Sequence, residues 1–312
     1  MRKTFTSTLM ELAKTDDKIF LLTADMGFSV VEPFAEAFPH RFLNTGIAEQ
    51  NAMGIAAGLA LEGFKPYIYA MAPFTLMRCY EQIRLNAAYM QLNIKIIGSG
   101  GGFQNGPQGV THHVTEDFAI TKVLPNMIVC APADLVEVRQ IIEQSSAIES
   151  PMYIRIGKNS DPLVHNADDI ITIGKAFSLE GFPSKEGGND LEIISTGAIS
   201  RRVLDWLPQF KKQGISAGVT VFHTIKPIDK EYLDELIKTE KKVLVVEEHS
   251  IIGGLGESIC AYFGLKNAKN KIRLMGIPDA YCHDVGTQKH LLEKTGLWQV
   301  PNIGDMYGFG SA

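Results

Sequence analysis

Two short stretches hold the residues best able to do chemistry. In the first, Asn44-Thr45-Gly46-Ile47-Ala48-Glu49-Gln50-Asn51-Ala52-Met53-Gly54 runs into Ile55-Ala56-Ala57-Gly58-Leu59-Ala60. It reads as a loop entering a helix, with the Glu49 carboxylate in the first turn and small residues beyond that permit close packing. Such a carboxylate can exchange a proton with a bound group, or it can be a helix-start acid favoured by the macrodipole. The second stretch, from Gly98 to Gly109, carries Gly100, Gly101, Gly102 and Gly106 and leads into Thr111-His112-His113. A Gly-rich loop at the carboxyl end of a strand is where open α/β sheets take ligands. The dinucleotide fingerprint needs a helix directly after its glycines. Pro107 and Gly109 stand there instead, and a Walker lysine is absent. The plain alternative is a surface loop, against which stand two adjacent histidines.

The elements that must position these stretches alternate along the chain. Helical patterning covers 4–14, with Phe5, Leu9 and Leu12 on one face, then 48–61, 75–91 and 134–146. Short apolar runs at 19–24, 65–71, 94–98, 126–131 and 152–156 predict strands. Strands alternating with helices of this length predict a parallel sheet covered on both faces. The rhythm breaks at 157–190, where a linker is placed around 160–172 and the Gly-rich piece near 187 reads as a hairpin or surface loop. It then resumes with strands 191–195, 218–222, 242–247 and 271–276 and helices 199–212, 229–238 and 254–263. The expectation is two parallel-sheet α/β domains, 1–165 and 173–312.

Bulk composition excludes several roles. The 312 residues are 45% hydrophobic and 21% charged, with net charge −5 and no basic tract, which disfavours nucleic acid and anionic membrane as partners. Cys79, Cys130, Cys260 and Cys282 are scattered without a CxxC, as expected of unpaired thiols in a reducing compartment. The first residues lack the apolar core of a signal peptide, and no apolar run approaches the roughly 20 residues a bilayer needs. A cytoplasmic protein is expected.

The stretch at 44–60 resembles the glutamate segment of thiamine-diphosphate enzymes of the transketolase family. That family includes transketolase, deoxyxylulose-phosphate synthase and the β subunits of 2-oxo acid dehydrogenases. The resemblance continues through Thr111-His112, Tyr153-Ile154-Arg155, Thr224-Ile225-Lys226-Pro227, Glu247-Glu248-His249 with Gly253-Gly254-Leu255-Gly256, and Gly276-Ile277-Pro278-Asp279 before Gly286-Thr287-Gln288. It implies that Glu49 hydrogen-bonds N1′ of the cofactor's aminopyrimidine and favours the imino tautomer that removes the C2 proton. Phe74 and Tyr80 are the candidates to stack on that ring, with Ile47 and Asp25 beside the cofactor. Plain core packing is the other reading of both aromatics.

The resemblance also assigns a substrate set. Arg2, Ser29 and Arg155 match phosphate contacts of transketolase, a task that suits the planar fork of arginine. His112 matches the family histidine near the substrate's reacting oxygens. Gln108 stands where relatives carry an aspartate, and Gly100-Gly101-Gly102 where they place a histidine or arginine, so sugar recognition should differ. The Gly-Asp-Gly segment that holds diphosphate and Mg²⁺ in single-chain members is missing, and Gly304-Asp305-Met306 comes too late to replace it.

The implied enzyme is thus the pyrimidine-binding half of a two-chain transketolase, with two copies of each chain. It would move a two-carbon ketol unit from a ketose phosphate to an aldose. The alternatives are pyruvate decarboxylation with carboligation, a 2-oxo acid dehydrogenase β subunit, and a non-catalytic scaffold subunit.

Overall fold

Strands buried on both faces need no polar alternation, and Lys95–Ser99 and Met152–Ile156 are buried at every position. The computed structural model describes residues 1–158, 162–181 and 190–307. The Gly-rich piece near 187 lies outside them. The first half runs α1 (Arg2–Thr15), β1 (Ile19–Thr23), α2 (Glu32–Ala37), β2 (Phe42–Asn44), α3 (Glu49–Leu61), β3 (Lys65–Met71), α4 (Ala72–Leu76) and α5 (Tyr80–Gln82). It continues through β4 (Lys95–Ser99), α6 (Asp117–Lys122), β5 (Ile128–Cys130), α7 (Leu135–Ser145) and β6 (Met152–Ile156). The second half runs β7 (Phe177–Glu180), β8 (Leu191–Thr196), α8 (Ile199–Lys212), β9 (Ala217–Val221), β10 (Thr224–Lys226), α9 (Lys230–Thr239) and β11 (Lys242–Ser250). It ends with α10 (Leu255–Leu265), β12 (Ile272–Ile277), α11 (Gln288–Lys294) and α12 (Gly304–Tyr307).

The result is two mostly parallel α/β sheets. The seven-stranded sheet has the order β10-β5-β6-β4-β3-β1-β2, and the five-stranded sheet β12-β11-β8-β9-β7. Among these strands only β10 and β7 pair antiparallel, each at a sheet edge. Phe5 and Leu9 of α1 and Val138 and Ile141 of α7 cover one face of the first sheet. The core on its other face joins Met53 and Ile83 to Phe222, Leu233 and Phe263 of the second half, so the halves share buried surface. Strand β10 reinforces that union, because a segment of the second half completes the edge of the first sheet.

One expected helix needs correction. The helix expected over 75–91 breaks: α4 stops at Leu76, and α5 runs into π-type turns over Ile83–Tyr89. Elements α2, β2 and β10 are too short for periodicity to register. The described part of the expected linker is strapped to α7, where Gln140 and Gln144 each exchange hydrogen bonds with the backbone of 169–173. The same strap buries His165 against Asp134 and Glu137, at 3.1 and 3.2 Å. Asp134 also caps α7 by accepting from the Val136 and Glu137 N–H groups.

Candidate active site

The carboxyl ends of β1 and β2 carry the loops that present Asp25 and Glu49. Asn44, last residue of β2, ties these loops together: its Oδ1 accepts from the Asp25 N–H and the Gly46 N–H, both at 3.0 Å. Thr45 N–H donates to the Thr23 carbonyl at 2.9 Å. Beyond this tether the chain enters α3 with Glu49 in its first turn, 7% exposed.

Glu49 is not a bare helix-start acid. Its Oε1 accepts from Arg78 Nη1 at 2.8 Å. The Arg78 guanidinium lies 4.2 Å from the ring centre of Phe74. Phe74 in turn meets His112 edge-on, with ring centres 5.1 Å apart and planes at 77°. Carboxylate, cation, aromatic ring and imidazole thus form one chain of contacts. The His112 ring shares a hydrogen bond with Thr111 Oγ1 at 2.8 Å. Burial, with help from the positive Lys158 and Arg78, lowers its pKa and favours the neutral imidazole. Cys79, beneath the cluster, is pushed up to about 12 by burial and the Glu49 charge, so it stays a thiol.

The remaining candidates separate by place. Arg2 and Asp25 line one cleft of about 530 Å³ with Thr23, Gly27, Phe28 and Glu32. Arg2 Nε donates to the Lys158 carbonyl at 3.0 Å. Ser29 lies on the same loop, and its N–H donates to Glu32 Oε1 at 2.8 Å. Asp25 and Ser29 both hold positive φ, 48° and 60°, a conformation uncommon outside glycine that marks the loop as sterically constrained. Ile47 is 77% exposed beside the entry to α3. Gln108 is exposed on the turn ahead of His112.

Tyr80 and Arg155 depart from expectation. The Tyr80 hydroxyl donates to the Ile120 carbonyl at 2.8 Å, and its ring packs on the shared core. The aromatic in the Glu49 cluster is therefore Phe74. Arg155 is 8% exposed, paired with Asp117 at 3.3 Å and donating to the Glu248 carbonyl at 2.7 Å. The space it lines, about 20 Å³, is of the order needed for a single water.

The junction around Arg155 also explains the glycines of the second stretch. A Cβ on Gly101 would sit 1.7 Å from Arg155 Nε, and one on Gly102 2.4 Å from Glu248 Cδ. Gly101 leaves room for Arg155 and Gly102 for Glu248 of the second half, and Gly100, Gly101 and Gly102 are buried rather than a surface loop. Glu248 accepts from the Phe103 N–H at 2.8 Å and is bonded by Gln288. Glu247 accepts from Leu255 and Gly256 N–H at the start of α10, and burial raises its pKa to about 7 against those bonds. His249 stacks on Phe118, ring centres 4.8 Å apart. The Glu247-Glu248-His249 segment is accordingly structural. His113 turns away from the Glu49 cluster, packs edge-on against Phe103 at 5.0 Å, and lines a separate cleft of about 440 Å³.

Arg78 is the member of the Glu49 cluster that sequence reasoning missed. It lies in the turn after α4, where no helical spacing marks it.

The comparison with known families decides what this architecture is. Residues 1–162, more than half of the chain, match the transketolase pyrimidine binding domain, and 183–299 match the transketolase C-terminal domain. The chain belongs to the transketolase family. It is 36% identical over 280 residues to a subunit of the apulose-4-phosphate transketolase of Phocaeicola vulgatus, covering 89% of this chain and 87% of that one. It is 35% identical over 298 residues to the 6-deoxy-6-sulfo-D-fructose transketolase subunit SqwH of a Clostridium species, covering 95% and 90%. Among solved structures, a split gene transketolase described as an inactive beta4 tetramer superposes with a TM-score of 0.82 at 36% identity, covering 95% and 93%. These relatives are transketolase subunits of similar length, and this chain is a transketolase component of the same kind. Transketolases depend on thiamine diphosphate, and the Glu49 cluster suits that cofactor: a buried carboxylate already binds a planar cation that lies on an aromatic ring.

Proposed function

We propose that this chain holds the aminopyrimidine of thiamine diphosphate and that a partner chain holds its diphosphate with Mg²⁺. Together the two would move a two-carbon ketol unit from a ketose phosphate to an aldose. The observation that carries this reading is the buried Glu49 carboxylate, bonded at 2.8 Å to a planar cation lying on Phe74. The cofactor supplies the nucleophilic carbon. Glu49 would hold a proton at N1′ of the pyrimidine, and Phe74 would orient the ring and shield it from water. Ile47 and Asp25 would border the cofactor from the neighbouring loops.

Arg2, in the 530 Å³ cleft, and Ser29 on its loop are proposed to bind the substrate phosphate. His112, favoured as the neutral imidazole, would donate a hydrogen bond to the substrate oxygens. Gln108, exposed four residues earlier, would contact the sugar hydroxyls. Arg155 is left out of this set because its guanidinium is held by Asp117 and the Glu248 carbonyl.

The assembly is proposed as two copies of each chain, acting in cytoplasmic carbohydrate metabolism, with domain limits at 1–165 and 173–312. No helix among the described residues is long and apolar enough to cross a membrane. The test is to purify the chain with its diphosphate-binding partner, thiamine diphosphate and Mg²⁺. Ketol transfer between sugar phosphates is then assayed against pyruvate decarboxylation. Ketol transfer is expected; pyruvate turnover without it would favour a synthase-like or dehydrogenase-like reaction.

A further inference from the structure

Arg78 makes two contacts that the aminopyrimidine would also make. Its Nη1 donates to Glu49 Oε1 at 2.8 Å, where a ring nitrogen would bond the carboxyl. Its guanidinium plane carbon stands 4.2 Å from the centre of the Phe74 ring, a normal stacking distance for an aromatic partner. His112 meets the same ring edge-on at 77°. A flat cation bonded to a carboxylate and lying on an aromatic face is a close mimic of the flat heterocycle proposed for this slot.

We propose that Arg78 occupies the pyrimidine's place in the unloaded chain and must swing out before the cofactor can enter. The proposal rests on the pyrimidine-slot reading above and adds a gating residue to it. The geometry permits the swing: Glu49 is fixed and 7% exposed, whereas the Arg78 side chain is 48% exposed and can leave without crossing the core. Its cost lies in the contacts given up. A half-exposed ion pair with an added ring contact keeps the open form in the minority, and the apparent dissociation constant rises by the inverse of the open fraction. The expected penalty on cofactor affinity is about five- to tenfold.

The test is calorimetric titration of thiamine diphosphate with Mg²⁺ into the chain assembled with its diphosphate-binding partner. The variants are Arg78→Ala, Arg78→Lys, Glu49→Gln and the double Glu49→Gln/Arg78→Ala. Arg78→Ala should bind the cofactor about five- to tenfold more tightly than wild type. Arg78→Lys, which keeps the charge without the flat fork, should fall between. In the Glu49→Gln background, removing Arg78 should gain much less, because the ion pair is already gone. A merely structural arginine predicts the opposite sign, so unchanged or weaker binding by Arg78→Ala overturns the gate. If Glu49→Gln still weakens binding in that case, the pyrimidine slot stands without the gate. If neither substitution alters affinity, slot and gate fall together.

Discussion

Replacing Asp117 with asparagine probes the junction that the structure assigns to Arg155. Asp117 is fully buried; it accepts from the Tyr153 hydroxyl at 2.7 Å and pairs with Arg155 at 3.3 Å. Arg155 also lies over the Phe118 ring at 4.6 Å and donates to the Glu248 carbonyl of the second half. Asparagine keeps the shape but leaves the guanidinium buried without its counter-charge. Breaking a buried pair from one side costs about 3–5 kcal/mol; the retained carbonyl bond puts this case near the lower end. At roughly 2–3 °C per kcal/mol for a chain of this size, the melting temperature should fall by about 6–9 °C. Arg155→Met should cost a similar amount. The double variant should cost less than the sum by about 1–3 kcal/mol, because no unpaired charge remains. Urea denaturation of the single and double variants reads these energies. A loss below about 1 kcal/mol for Asp117→Asn, or strict additivity, would refute the assignment of Arg155 to the junction.

Other substitutions test neighbouring claims. Gly101→Ala should destabilise the chain by about 3 kcal/mol or more, or prevent folding, because its Cβ would overlap Arg155 at 1.7 Å. Gly54→Ala on α3, where nothing lies within 4 Å of the added carbon, should leave the isolated chain as stable as wild type or up to about 1 kcal/mol more so; urea midpoints compare the two. Burial lowers the His249 pKa to about 4, against the nearby Asp117 and with the nearby Arg155. The unfolded residue titrates near 6.5, so its contribution is fully present above that pH and is lost as pH falls toward 4. Wild type should therefore lose about 3 kcal/mol more than His249→Phe between pH 7 and 4, read from urea midpoints at each pH. In the assembled enzyme, Arg2→Ala should raise KM for a ketose phosphate at least tenfold, whereas Arg155→Met should leave KM within about threefold while lowering stability.

Much of the fold was legible because parallel strands buried on both faces appear as short, mainly apolar runs: Lys95–Ser99 and Met152–Ile156 stand close to where patterning put them. What stayed hidden was short or cooperative. Strands β2 and β10 have three residues each, too few for a period to declare itself. The segment at 75–91 looks like one helix because its apolar spacing survives the break after Leu76 and the π-type turns. In the candidate site, the grouping of Glu49, His112 and Phe74 was legible as an expectation from the family's segments. Arg78 was not, because its meaning lies in a contact with Glu49 across 29 positions of sequence. Arg155 shows the same limit: the residue type suits phosphate, and its buried contacts with Asp117 and the Glu248 carbonyl depend on long-range packing. Of the glycines at 100–102, Gly102 leaves room for Glu248 of the second half and Gly101 for Arg155, packing that the sequence alone does not show.

Proton exchange at C2 of bound thiamine diphosphate, followed by quenched-flow deuterium labelling of the assembled enzyme, tests the central claim most directly. Glu49→Gln should slow that exchange by at least a hundredfold while leaving the melting temperature within a few degrees, since the helix start keeps its shape. Exchange at the wild-type rate in that variant would contradict the account.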